Sequence, residues 1–458
     1  MRLVITIWAY SLIITYVTTV FLILIRRNWG SVPYTLLNFV GFIQDALSGA
    51  IFRRPIDKTN HGVEKEGNLS DIVKKWKKSE TDLLDFSISL AGNGIASIVQ
   101  DDINSGFTSV PLSTWSTLTV PVTKSGEGIL NALKWTFYVV GLIFRLSFLL
   151  PLRIALMTTA LVWIVTTGII CVSVPGWPRH WTLYCGVTFA KLFNAATGLI
   201  VEFEDKHHRP QESGIAVSNH LTANDIMTIY SDCEDIGYTA TGQTHGGFIY
   251  PLEVFGSKLT PTLWLDRACA DERANFQEKM LTYARTPGTY PVLLFPEGFC
   301  SNNEVVLQFR KGGFGDDVNV YPMAMTQEAR YGDSFWLEDT YLPYLIRILL
   351  SWALIIRIRY LPVMRKEPEE DSEMFAERVQ MAIARSIGRP STLYDGGMKR
   401  PKDRAKFFEK LQQMIAAQLP TAVFGRCKRS RLCSMSCQSE CSHITDTKLA
   451  PLIECTSY

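Results

Sequence analysis

Two long apolar runs fill much of the first 175 positions, and short apolar segments set between polar, periodic ones fill the rest. Leu3 to Ile25 carries no formal charge and is long enough to cross a bilayer as a helix. It is too long for a signal-peptide core, and Arg26-Arg27 follows it where a small-residue cleavage site would stand, so the run predicts an anchor. The Arg pair, joined by Arg53-Arg54, puts the following loop on the cytosolic side. The second run, Phe137 to Val174, is broken only by Arg145 and Arg153. Its first part ends at Leu150 with Arg145 in its middle, which is short for a crossing and suits an interfacial or re-entrant helix. Pro151 breaks the run, Arg153 can snorkel to the headgroups, and Ile154 to Val174 continues without charge. Two helices joined at Pro151 make a hairpin that enters and leaves on one face; a single crossing is the alternative.

After Pro175-Gly176-Trp177-Pro178 the pattern changes to that of a globular domain. Gly214–Ser218 reads as a short apolar strand, and Asp225 to Ser231 opens a helix. Val292 to Phe295 is a buried strand ended by Pro296, Val318 to Met325 is another, and Arg357 to Val363 alternates like a strand with one wet face. Tyr344 to Ile356 reads as an apolar core helix. Strands alternating with helices predict an α/β fold with a largely parallel central sheet covered by helices. The chain then divides into an N-terminal membrane anchor (1–30), a linker region with amphipathic helices (31–135), the membrane hairpin (136–175), a catalytic domain (176–405), and a C-terminal helix with a disordered tail (406–458). Within the linker, Asp71 to Glu80 is a basic helical stretch and Ser105 to Ser125 a loop.

Composition narrows the class. Of 458 residues 47% are apolar, and the mean hydropathy of +0.08 is high for a water-soluble enzyme because of the two runs. A net charge of +2 gives no indication of a nucleic-acid partner. The ten cysteines show no disulfide framework and read as reduced thiols facing the cytosol. Five of them lie in the tail from Phe424, among basic residues; their spacing fits no structural zinc site, and they read as incidental in a disordered segment, with palmitoylation as the alternative.

The chemistry concentrates in Asn219-His220-Leu221-Thr222-Ala223-Asn224-Asp225. On one helix, five residues turn about 500°, which leaves His220 and Asp225 roughly 140° apart. They meet only if His220 lies in the turn after the Gly214–Ser218 strand and Asp225 in the first helical turn, where the helix dipole favours a carboxylate. Asp225 then holds Nδ1 of His220, and Nε2 is free to take a proton from a hydroxyl. No Ser or Cys nucleophile is required, since the substrate's own alcohol can attack. In Phe295-Pro296-Glu297-Gly298 a buried strand runs into a turn and presents a carboxylate, which either accepts from substrate hydroxyls or caps a neighbouring loop. Phe309-Arg310-Lys311-Gly312-Gly313-Phe314 sets basic side chains beside flexible backbone, and Arg267 offers bidentate geometry; both suit a phosphate.

In this order along the chain, these segments resemble the glycerolipid acyltransferases. Asn219-His220 to Asp225 matches the first family block, Trp264 to Arg267 the second, Phe295 to Gly298 the third, and Tyr321-Pro322-Met323-Ala324 the fourth. The endoplasmic-reticulum glycerol-3-phosphate acyltransferases are similar at further places: Gly242-Gln243-x-His245-Gly246-Gly247, Cys300-x-Asn302-Asn303, Gly332-Asp333-x-Phe335-Trp336, Asp395-Gly396-Gly397-x-Lys399-Arg400, and Leu149 to Leu156 in the second apolar run. The resemblance covers roughly residues 85–405. It implies transfer of a fatty acyl group from acyl-CoA, a co-substrate, to the sn-1 hydroxyl of glycerol 3-phosphate, giving lysophosphatidic acid, with no cofactor and no metal. It implies His220 as base and Asp225 as its partner, with Arg267, Glu297 and Gly298 at the glycerol-phosphate site; Lys311 joins the substrate-binding candidates from its own basic, glycine-rich segment, and Asn219, Pro296 and Pro322 are expected in support. It further implies an endoplasmic-reticulum membrane protein whose catalytic domain faces cytosolic substrates, which favours the hairpin over the single crossing. Two departures stand out: Phe299 where the family usually has Thr, and no Pro inside the first block.

Three rivals remain in view. The same chemistry can use lysophosphatidate or another lysophospholipid as acceptor. A catalytically dead membrane scaffold predicts loss of His220 or Asp225, and both are present. A metal hydrolase would draw on His207, His208 and His220, but the first two sit beside Lys206 and Arg209 in a polar loop.

Overall fold

A computed structural model describes residues 2–48, 106–107, 129–174, 176–243, 250–265, 270–338 and 340–400, with isolated positions 409 and 413. The basic stretch at 71–80, all of the 105–125 loop but two residues, the cysteine-rich tail, His245-Gly246-Gly247 and Arg267 lie outside the described residues.

Among the described residues the globular part is built on seven strands: β1 (Leu199–Glu204), β2 (Ile215–Ser218), β3 (Thr239–Gln243), β4 (Thr262–Leu265), β5 (Val292–Leu294), β6 (Val320–Glu328) and β7 (Leu354–Tyr360). They lie in the order β1-β7-β6-β2-β5-β3-β4. All neighbours pair parallel except β6 and β7, which are antiparallel. The helices are α1 (Arg2–Leu24), α2 (Val32–Ser48), α3 (Ile129–Phe144), α4 (Leu150–Ser173), α5 (Arg179–Ala196), α6 (Asp225–Tyr230), α7 (Tyr250–Leu259), α8 (Ala270–Arg285), α9 (Tyr341–Leu350) and α10 (Ser372–Ile387). Strand β2 is buried along its whole length, as a central parallel strand covered on both faces must be. Its alternate side chains enter different cores. Ile215 and Val217 pack with Met280 of α8 and Phe375, Val379 and Ile383 of α10. Ala216 packs on the other face with Leu183, Val187 and Ala190 of α5.

The expected hairpin at Pro151 is absent. The apolar helix runs unbroken from Trp135 to Ser173, 39 residues, through a π-helical turn at Arg145–Leu149. Within that turn the Leu150 N–H reaches back to the Arg145 carbonyl. Pro151 then falls in the first turn of α4, where it has no N–H to satisfy and its fixed φ suits a helix. The π turn gives the ring its room, so the proline bends nothing back. Arg153 does not snorkel either: it is buried, and its guanidinium donates to the carbonyls of Leu349, Ser351 and Trp352 at 2.6–2.7 Å.

Both α1 and the α3–α4 run are long and apolar enough to cross a bilayer. One side of α4 (Leu152, Leu156, Ala160, Ile164) is buried, while Ile143, Ile154, Val162 and Ile169 stay exposed along the run. The expected helix over Tyr344–Ile356 is also redrawn. It ends at Leu350, and Leu354 begins β7, because the carbonyls around Ser351 turn to Arg145 and Arg153 instead of continuing the helical ladder. A largely apolar stretch satisfies a buried strand as well as a helix, so periodicity does not separate the two.

Candidate active site

The site lies where β2 and β5 end, at the carboxyl edge of the parallel strands. Beyond Ser218 the strand leaves β6, and the Asn219 side chain takes over the ladder. Its Nδ2 donates to the Met325 carbonyl (2.9 Å) and its Oδ1 accepts from the Met325 N–H (2.8 Å). Asn219 thus fixes the exit of the chain, and His220 follows in the turn. Asp225 opens α6, fully buried. Its Oδ2 lies 2.8 Å from His220 Nδ1 and also accepts the Leu221 N–H (2.7 Å) and the Thr222 N–H (3.0 Å). One carboxylate oxygen therefore folds the loop around itself and holds the imidazole. Asp225 is an acceptor, so Nδ1 carries the hydrogen and Nε2 keeps its lone pair. The ring lies flat on Phe295, centroids 4.4 Å apart, and is 20% exposed. Burial alone would lower its pKa. Contact with the Cys300 side chain and the bond to Asp225 act the other way, and the net direction is well above the ordinary histidine value.

Glu297 takes the second of its two sequence readings. It is fully buried, and its oxygens accept the backbone N–H of His220 (2.7 Å) and of Leu307 (2.8 Å). No lone substrate hydroxyl is needed to satisfy it; the carboxyl braces the histidine loop against the loop after β5. Burial drives its pKa up to about 8 against the pull of those two N–H groups. Pro296 is buried at the head of the same turn. Gly298 closes it at φ +74, a conformation that disfavours side chains. A Cβ there would stand 3.0 Å from the Arg310 guanidinium, so Arg310 lies directly over the turn. Its N–H donates to the Pro296 carbonyl (3.1 Å), and its Nε donates to Asp395 (2.7 Å). Lys311, the other basic candidate, faces away: it is 68% exposed and is 3.9 Å from Glu373 on α10. Arg310, by contrast, lies directly against the Gly298 turn. Pro322 sits in central strand β6, where the register against the chain after β7 shifts by one residue between Met323↔Tyr360 and the Val320↔Met364 bridge; its carbonyl still accepts the Leu361 N–H (2.9 Å), and its missing N–H falls at that shift. The backbone of β4 ends at the same sheet edge as β2, which brings the chain before Arg267 to the site's side of the molecule.

Sequence reasoning missed the second ring of contacts. Tyr341 and Tyr344, one turn apart on α9, bond Asn224 and Thr222 inside the histidine loop. Their i, i+3 spacing was the available signal, but the loop they serve lies more than a hundred positions earlier. Asn303 bonds the same β6 edge as Asn219, through Met325 and Gln327. His207 and His208 lie against each other at a tilt after β1, three strands from β2, and no group of three His, Cys, Asp or Glu placed to hold a metal occurs among the described residues.

The mostly parallel sheet presents a His–Asp pair at its carboxyl edge with apolar helices alongside, and the family model that matches residues 200–326, which hold this site, is described as "Acyltransferase". A Danio rerio protein named glycerol-3-phosphate acyltransferase 3-like is 33% identical over 372 residues, 78% of this chain and 81% of that one. Human glycerol-3-phosphate acyltransferase 4 is 32% identical over 71% of each chain. The chain belongs to the glycerol-3-phosphate acyltransferase family. Among solved structures, the 1-acyl-sn-glycerophosphate acyltransferase PlsC of Thermotoga maritima aligns with 52% of this chain and 96% of its own, at 16% identity and a TM-score of 0.38.

Proposed function

We propose that this protein transfers a fatty acyl group from acyl-CoA to the sn-1 hydroxyl of glycerol 3-phosphate, giving lysophosphatidic acid, at the endoplasmic-reticulum membrane with its site towards the cytosol. The carrying observation is the bond of 2.8 Å between His220 Nδ1 and a buried Asp225 whose same oxygen is pinned by two backbone N–H groups. Such a pair has one competent task, to accept a proton at Nε2. The acceptor hydroxyl gives its proton to Nε2 as its oxygen bonds to the thioester carbon. The tetrahedral intermediate then expels the CoA thiolate, which recovers the proton from the imidazolium. Arg310, with Arg267, supplies cations for the acceptor's phosphate. The apolar helices keep the acyl chain close to the bilayer.

The test supplies membranes containing this chain with oleoyl-CoA and either radiolabelled glycerol 3-phosphate or radiolabelled lysophosphatidate. Label should enter lysophosphatidic acid from the first; acylation of lysophosphatidate alone would replace the acceptor. His220→Ala should bind both substrates and turn over slower by about three to four orders of magnitude. Near-normal turnover in that variant would remove His220 from the mechanism.

A further inference from the structure

Helix α9 joins the histidine loop to the apolar helices. On its inner side, Tyr341 donates to Asn224 Oδ1 (2.8 Å). The Tyr344 hydroxyl, fully buried, accepts from Thr222 Oγ1 (2.5 Å) and Asn224 Nδ2 (3.2 Å) and donates to the Ser334 carbonyl (3.3 Å). Thr222 in turn accepts the Asn224 N–H (3.0 Å). Both loop side chains between His220 and Asp225 that can hydrogen-bond are therefore oriented by α9. The helix is clamped from behind by Arg347, its one charged residue, which turns inward to Glu338 and to the carbonyls of Asp333 and Phe335. That clamp takes its two carbonyls from the Gly332-Asp333-x-Phe335-Trp336 segment.

The outer side of α9 is apolar and open. Leu342 is 64% exposed and Ile346 49%, with Pro343 exposed beside them. The carboxyl end of α9 abuts the long apolar helix, which also carries exposed apolar side chains. The carbonyl end of α9 is held by Arg145 and Arg153 on that helix. Trp352 stacks on Phe144 (6.1 Å), and Ile143, Leu146 and Ile154 are exposed apolar neighbours along the run. The junction is built for the guanidinium: at Gly198 (φ +69) a Cβ would stand 2.1 Å from Arg153 Nη2. A second protein copy would need polar anchors at the rim; α9 turns its only charge inward, which fits hydrocarbon better.

We propose that α9 docks on the lipid bilayer through Leu342, Pro343 and Ile346, and that this seating sets the reactive shape of the His220–Asp225 loop through Tyr341 and Tyr344, which act as positioning residues. The catalytic part of this inference rests on the acyltransferase reading; the docking part does not.

The experiment uses the full chain in phosphatidylcholine vesicles containing a trace of alkyne-tagged phosphatidylcholine. A photoreactive p-benzoylphenylalanine replaces Ile346 or, as a control on α10, the exposed Met374. Lipid adducts at 346 well above those at 374 are expected. Adducts at the level of 374, or adducts to a second copy of the chain, overturn the docking. In the same vesicles, the double variant Leu342→Ser with Ile346→Ser should lose kcat about tenfold or more while keeping its KM for glycerol 3-phosphate. Tyr344→Phe, which removes one oxygen, should show the same kcat-only loss and move the acid limb of the pH–rate profile downward, because the loop freed at Thr222 and Asn224 holds Asp225 less firmly against the imidazole. Unchanged kcat in both, or a loss carried by KM, overturns the coupling. Failure of the wild-type chain to acylate any acceptor defeats the acyltransferase reading instead, and the cross-linking still decides the docking.

Discussion

Replacing Glu297 by Gln separates a brace from a substrate contact. In the folded protein its two oxygens accept one N–H each, from His220 at 2.7 Å and from Leu307 at 2.8 Å, with the side chain fully buried. Gln is nearly the same shape but has a single acceptor, so one of the two N–H groups must face an NH2. A buried donor left without an acceptor costs about 1–3 kcal/mol. For a domain of roughly 200 residues that corresponds to a fall in Tm of about 3–10 °C. The same change loosens the backbone of His220 itself, and misplacement of a reacting group by about 1 Å can cost on the order of a hundredfold in rate. Glu297→Gln should therefore lower Tm and kcat together and leave the KM for glycerol 3-phosphate within about twofold. Thermal unfolding of the purified protein and steady-state kinetics at saturating acyl-CoA read all three. A KM raised about tenfold, with Tm and kcat intact, would mean that the carboxylate meets the glycerol and would refute the brace.

The pH profile follows from the His220–Asp225 pair. The imidazole must be neutral to accept a proton, and the pairing stabilises its charged form, so activity should rise with pH through an acid limb lying above about 6.5. Asp225→Asn should move that limb down and reduce kcat by about 10⁴-fold, since the ring loses both its countercharge and its fixed tautomer; a limb already at the ordinary histidine value in the wild type would contradict this. At the neighbouring turn, Arg310→Ala should raise the KM for glycerol 3-phosphate by about tenfold or more while Lys311→Ala leaves it near the wild-type value. Equal effects of the two variants would undo the distinction drawn from their directions.

The parts of the site legible in the sequence were those whose partners lie close along the chain. His220 and Asp225 had to meet across a strand–turn–helix, because no continuous helix brings them together, and the structure folds them that way. The turn at Gly298 was likewise readable from Pro-Glu-Gly after an apolar strand. The direction of a side chain was not. Arg310 and Lys311 are adjacent basic residues, and only the fold decides that one lies over Gly298 and the other beside Glu373. Glu297 looked equally suited to two roles until its burial and its two N–H donors were fixed by chains leaving β2 and β5 together.

The long apolar run misled for a different reason. Pro and Arg inside an apolar run are ordinarily signs of interruption, a bend for the first and a route to water for the second. Here each is satisfied locally. A π turn accommodates Pro151, and the loose carbonyls at the end of α9 meet Arg153. Neither partner is visible in hydropathy, since the residues that supply those carbonyls, Leu349 to Trp352, lie about two hundred positions downstream. A buried guanidinium in an apolar helix is expensive unless its donors are met, and it is then hard to part from what meets it. The arginines therefore tie the apolar helix to α9 rather than to the headgroups, and α9 carries the two tyrosines that shape the histidine loop. In this chain the charges that interrupt the apolar run are what tie it to α9, and through α9 to the histidine loop.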